Sequence, residues 1–181
     1  MRYTTNDLII YALFGAALFL IVFVTSPVIE ALTFSGASAL MLFFEPFFGN
    51  LAALITKKPF AFTITLTVYS ILAAPTVAIL AIPTILKVFP IVFAALSAEY
   101  FIRKYNKKGS AIAGVIYMFI SGWLLAFLFI KMGLPGSELG LGVAAILILF
   151  GMILGGLGGL SGFWFYENKL KDRAFVKRIQ S

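Results

Sequence analysis

The chain has no cysteine and no histidine. That absence removes disulfides, thiolate nucleophiles, haem ligation and most transition-metal sites, and it leaves the redox compartment unreadable. Charge is scarce too: 12% of the 181 residues are charged, and the only aspartates, Asp7 and Asp172, lie at opposite ends. With no paired carboxylate motif, the inventory for acid–base or metal-assisted catalysis is thin, which argues against an enzyme and against a bound cofactor or metal. No GxxxxGK[ST] phosphate loop occurs, so ATP hydrolysis cannot belong to this chain.

Apolar side chains fill the space, at 62% of residues, a share that a soluble domain of this size cannot hide in its interior. The composition predicts an integral membrane protein forming a single domain over residues 1–181. Crossing roughly 30 Å of hydrocarbon takes about 20 helical residues, so the length allows about six spans. The run "LIIYALFGAALFLIVFV" from Leu8 to Val24 is too long for a signal-peptide core and has only Arg2 before it, so it is expected to be the first span rather than a cleaved leader.

The basic residues fall into clusters: Lys57 and Lys58; Arg103, Lys104, Lys107 and Lys108; Lys169, Lys171, Arg173, Lys177 and Arg178. Basic flanks mark the cytoplasmic side. The intervals 7–56, 59–102 and 109–168 each hold two helices and a turn, so the expectation is an all-α membrane protein with six transmembrane helices and both termini cytoplasmic. The spans fall at approximately 7–25, 35–56, 60–73, 84–103, 111–131 and 141–166. This places 12 of the 14 basic residues inside, with Lys87 and Lys131 outside. The net charge of +7 is then accounted for by cytoplasmic flanks, and nucleic acid is not an expected partner.

Pro59 suits the first turn of a helix, since its missing N–H has no partner there in any case, so "KKP" reads as a cytoplasmic turn followed by a new start. The third span is short. Pro75, Pro83 and Pro90 follow it, which predicts a broken, apolar outer loop. "VTSPVIEALTFSG" and "GSELG", containing Ser137, are read as the other outer connections. Gly151, Gly155 and Gly159 of the last span stand at GxxxG spacing, and Gly158 and Gly162 repeat it on a neighbouring face; such faces let helices approach closely in lipid, within one chain or between chains. Ala12 and Ala16, with Gly15 beside them, form a smaller strip on an otherwise bulky first span.

Glu45 falls near the middle of the second span, where a charge costs at least about 2.5 to 3.5 kcal/mol unless paired, hydrated or protonated. It is either a contact for a ligand or cation, or a protonated acid bonded to a neighbouring helix. Glu99 stands four residues before Arg103, which suits an i,i+4 ion pair near the interface as well as a site role. Trp123, Tyr117, Tyr69 and Phe93 are the aromatic candidates for stacking on a flat heterocycle. Trp123 stands out among them because Ser121 and Gly122 make its helix locally small and polar.

Four segments, "ALFGAALF", "LAALITKKPFA", "LSAEYF" and "GMILGGLGGLSGFW" with its basic tail, resemble the substrate-binding S components of energy-coupling factor (ECF) vitamin transporters. The YkoE-type hydroxymethylpyrimidine and thiamine components are the nearest in pattern. The resemblance covers most of the chain. It implies a cell-membrane subunit that captures a vitamin or vitamin precursor from outside. Uptake would be driven after it joins a transmembrane coupling subunit and two cytoplasmic ATPase subunits. It also implies that the alanine strip of the first helix, Ala12 and Ala16 here, faces the coupling subunit. Where the family pattern suggests polar groups in the third span and a glutamine before Ala98 and Glu99, this chain has Leu66 and Ala94, which points to a less polar ligand. The rival readings are a self-assembling channel or carrier, with the glycine faces as oligomer contacts and Glu45 in a pore, and a small membrane enzyme.

Overall fold

A computed structural model describes residues 3–33, 36–73, 84–132 and 140–180. These residues are helical, with no strand among them: α1 (Thr5–Thr33), α2 (Gly36–Thr56), α3 (Ala61–Ala73), α4 (Thr84–Ile102), α5 (Lys107–Lys131), α6 (Gly140–Phe165) and α7 (Ala174–Gln180). The stretches Thr5–Val24, Lys107–Leu128 and Leu141–Leu170 are long and apolar enough to cross a membrane, while Met41–Thr56, Ala61–Ala73 and Val88–Ile102 are apolar but shorter. The expected broken outer loop, residues 74–83, and Ser137 lie outside the described residues.

The helix starts follow from local chemistry. Thr4 and Asp7 form a reciprocal cap on α1, with the Thr4 N–H donating to Asp7 Oδ2 at 2.8 Å and the Asp7 N–H to Thr4 Oγ1 at 3.3 Å. Asn106 accepts the Gly109 N–H at 2.7 Å, which begins α5 at Lys107 rather than at residue 111. Pro59 precedes α3 by two residues instead of occupying its first turn, because Lys57 and Phe60 take positive φ values of 50° and 60° to reverse the chain there. At its far end α1 runs on to Thr33, past the predicted limit of 25 and through much of the expected outer connection. Pro27 lies within this helix, where a proline removes only one backbone hydrogen bond.

Packing arranges the six long helices as a ring in the order α1, α3, α4, α5, α6, α2 and back to α1, with α2 also touching α3 and α5. Such contacts depend on close fit between the helix backbones. The glycines supply that fit. A side chain at Gly155 would run into the Gly114 main chain and Met118 of α5, and one at Gly159 into the Ser110 carbonyl. One at Gly158 would strike the Phe43 carbonyl of α2, and one at Gly162 the Phe47 carbonyl. Both glycine faces of α6 are therefore engaged within the molecule, one against α5 and the other against α2. Serine and threonine hydroxyls donate back into their own helices, as Thr65 does to Ala61 and Ser70 to Leu66, both at 2.8 Å, so these buried polar groups are satisfied locally.

The C-terminal segment, read from sequence as a basic tail, has structure of its own. A π-helical turn, Tyr166–Leu170, ends α6, and α7 then folds across the end of the bundle. Val176 is fully buried against Leu51, Leu54 and Ile55. Gln180 Nε2 donates to the Leu54 and Ile55 carbonyls at 3.1 and 2.9 Å and to the Tyr166 hydroxyl at 3.1 Å, satisfying groups that the end of α2 leaves open.

Candidate functional site

In α2 a single acid, Glu45, stands in the run Phe43, Phe44, Glu45, Pro46, Phe47, Phe48, Gly49, whose phenylalanines stack on one another and on Phe14 and Phe165. Glu45 is turned inward and is 7% exposed. Because α2 touches α3 and α5, phenols from two other helices surround this carboxylate. The Tyr117 hydroxyl donates to Glu45 Oε2 at 2.8 Å, and the buried Tyr69 of α3 lies close enough to feel the field of the same carboxylate. Both tyrosines are essentially fully buried.

The surroundings hold this group in place. Phe62 meets the Tyr117 ring edge-on at 5.7 Å between centroids, and the missing side chain at Gly49 leaves room for the Phe62 ring. Ser121 donates to the Tyr117 carbonyl at 2.7 Å. Pro46 interrupts the hydrogen-bond ladder of α2, and Asn50 Nδ2 donates to the Pro46 carbonyl at 2.7 Å. Leu66, Ala94, Ala95, Ala98, Ala113 and Met118 belong to the same buried cluster. Chemically this is an acid flanked by aromatic rings in an apolar shell, suited to a hydrogen-bond donor or cation carried on a flat, largely apolar body.

The other predicted site residues lie elsewhere. Trp123 is 37% exposed and stacks edge-on with Phe119, on the outer surface of α5. Six residues separate it from Tyr117, and at about 3.6 residues per turn that rotates it well away from Glu45. Phe93 is 50% exposed and stacks on Phe89 along the outward face of α4, with Leu96 and Tyr100. Neither joins the Glu45 group. Ala12 is exposed and Ala16 partly so, on the face of α1 that also shows Leu8, Ile9, Leu13 and Leu20. Gly15 is turned instead toward α3, against the Thr65 carbonyl and Val68.

Glu99 occupies a second, separate place. It is 2% exposed, and its Oε2 accepts both the main-chain N–H and the hydroxyl of Thr63 at 3.1 Å. It therefore caps the start of α3 from α4, complementing the positive end of that helix. The i,i+4 pair with Arg103 is not formed. Among the described residues the ion pairs are Lys171 with Glu167 and Lys177 with Asp172, whereas the Arg103 guanidinium lies 5.3 Å above the Phe60 ring. Tyr105, in the turn after α4, is partly buried; this burial, with the field of Glu99, pushes its phenol upward from its ordinary range. Thr63 and Tyr69 are six residues apart on α3, so the Glu99 and Glu45 groups are separated by about 9 Å along that helix.

Asn50, read from sequence as a polar partner one turn from Glu45, bonds the Pro46 carbonyl instead; sequence reasoning missed Thr63, which bonds Glu99, and Phe62, which packs on the Tyr117 ring. Thr63 follows closely on the Pro59 turn, a position where a threonine signals a helix start, but nothing local indicates that its partner is Glu99.

The chain matches no protein-family model, no curated protein and no solved structure.

Proposed function

We propose that this chain is the substrate-binding S component of an ECF-type vitamin transporter, with six spans, both termini in the cytoplasm and Glu45 as the polar anchor of its ligand site. The observation that supports this reading best is the convergence of Glu45, Tyr69 and Tyr117 from three helices inside an apolar cluster. An ionisable group in a membrane interior favours a functional role, and this one comes with aromatic surfaces for a heterocycle. The short α3 suits the incomplete third span, since its 13 residues rise about 20 Å of the roughly 30 Å required. The ligand class favoured is a thiamine- or hydroxymethylpyrimidine-like compound, and Leu66 and Ala94 in the shell favour its less polar members. Capture involves no turnover by this chain. Uptake requires the coupling subunit, docking on the exposed Ala12 and Ala16 strip, and its two ATPases.

The deciding experiment is native mass spectrometry of the purified protein, followed by a binding screen with thiamine, hydroxymethylpyrimidine, riboflavin and biotin. The expected result is a monomer holding one small molecule that Glu45→Leu releases. A stable oligomer with no ligand from this set, conducting ions in vesicles, would replace the reading with a channel.

A further inference from the structure

We infer that the end of the bundle carrying the basic turns sits in the headgroup layer of a phospholipid bilayer, with Tyr100 and Trp164 at the boundary between headgroups and acyl chains. Two stripes on the outward faces of α4 and α6 carry this inference. On α4, Leu86, Phe93 and Tyr100 are exposed at intervals of seven residues, and on α6 so are Phe150, Leu157 and Trp164. Seven residues make about two helical turns, so each stripe runs nearly straight along its helix. Both are wholly apolar until the last position, where an aromatic ring gains a hydroxyl or an indole N–H. Rings with an apolar body and one polar tip are the side chains enriched where hydrocarbon meets headgroups.

The two stripes finish at the same end of the molecule. Glu99, next to Tyr100, caps the start of α3 through Thr63, and Tyr166, just past Trp164, shares the Gln180 amide with the end of α2. The end of α2 and the start of α3 are joined by the turn around Pro59. Into that turn the exposed Tyr3 donates its hydroxyl, at 2.7 Å from the Pro59 carbonyl, so a third polar-tipped ring comes from the side of α1. Exposed cations follow the rings closely, Arg103 and Lys104 after Tyr100 and Lys169 after Trp164, at the level where lipid phosphates lie. Eleven residues separate Glu45 from the end of α2 at Thr56, which sets it about 16 Å inward, close to the middle of roughly 30 Å of hydrocarbon.

The inference rests on the membrane location of these helices, and its test separates the two. The chain has two tryptophans, so Trp123→Phe leaves Trp164 as the sole indole. This variant of the full chain is reconstituted into vesicles of phosphatidylcholine and phosphatidylglycerol whose acyl chains carry bromine either near the headgroup or near the chain end, and quenching of its fluorescence is read. Trp164 should be quenched more by the shallow bromines. Leu157→Trp, in a background of Trp123→Phe and Trp164→Phe, moves the indole about 10 Å inward along the same face and should reverse that order. On α4 the same background with Tyr100→Trp should behave as Trp164 does, and with Phe93→Trp as Leu157→Trp does. A Trp164 quenched most by the deep bromines, or unquenched while Leu157→Trp is quenched, would overturn the boundary and leave the membrane location standing. So would Tyr100→Trp with the depth profile of Phe93→Trp. Absence of quenching at all four positions would overturn the membrane location, and the boundary with it.

Discussion

Glu99, on α4, accepts the main-chain N–H of Thr63 on α3, so the first turn of one helix is capped by the side chain of another. A carboxylate there answers an N–H that has no partner in its own helix. Glu99→Ala leaves that buried N–H unsatisfied and should cost about 1 to 3 kcal/mol. Glu99→Gln keeps an acceptor and loses only the charge, about 0.3 to 1 kcal/mol at a helix end and up to about 2 when partly buried. Thermal unfolding in detergent checks the order of the three proteins. A large loss of ligand affinity without a stability change would show that Glu99 belongs to the ligand site instead.

The glycines of α6 predict a graded series. Gly155→Val and Gly158→Val put bulk against α5 and α2 respectively, and each should destabilise the monomer by about 1 to 3 kcal/mol or more, the usual range for overpacking. Gly142→Ala, with open space around it, should leave the unfolding midpoint unchanged or slightly raised. Light scattering alongside unfolding separates the roles: a changed oligomeric state with unchanged stability would make these faces intermolecular after all.

For the ligand site, Glu45→Gln should weaken binding of the vitamin found in the screen by about tenfold or more, since hydrogen bonds to charged groups run about 1.5 to 3 kcal/mol. Tyr117→Phe removes the donor seen at Glu45 and should lower both stability and affinity, by a smaller factor. Trp123→Phe, on the outer face, should leave affinity within about twofold, as surface changes usually stay within about 0.5 kcal/mol. Calorimetric dissociation constants provide the comparison; a ligand indifferent to both Glu45→Gln and Glu45→Leu would move the search to the outer loops.

Because the chain has no cysteine, topology is accessible through single substitutions without a prior background. Cysteines at Lys58, Asn106 and Ser181 should react with an impermeant maleimide only once the cytoplasmic side is opened, whereas Ser137→Cys should react in intact cells. Labelling of Asn106→Cys from outside would overturn the six-span arrangement.

The Ala12 and Ala16 strip predicts a separation of functions. Replacing both with leucine should leave ligand binding within a few-fold, since neither lies near Glu45. It should prevent co-purification with the coupling subunit, because close helix approach in lipid relies on small side chains. Intact complex formation by the double variant would rule out the docking role.

The helical architecture was legible from composition and charge, and the limits of α3 and α6 were read to within about a residue, inside the usual boundary error. Helix rotation was harder to read. Where a helix has a polar face, that face locates the outside, but here the exposed and core-facing residues are equally apolar, so Trp123 and Tyr117 look alike in sequence and differ only in three dimensions. Glu45 could be singled out because a charge in so apolar a run needs a partner whichever way the helix is turned. The cap on α3 and the structure of α7 could not be anticipated, because each depends on a partner far away in the chain.

Gln180 holds the carbonyls of Leu54 and Ile55, which precede it by 126 and 125 residues. During synthesis the C-terminal end of α2 must therefore wait, with these contacts unmade, until long after α2 itself has been translated. The helices made in between can pack while that end is still open. This corner of the fold is closed by a residue far downstream, so its formation is tied to the arrival of α7 and not to the making of α2.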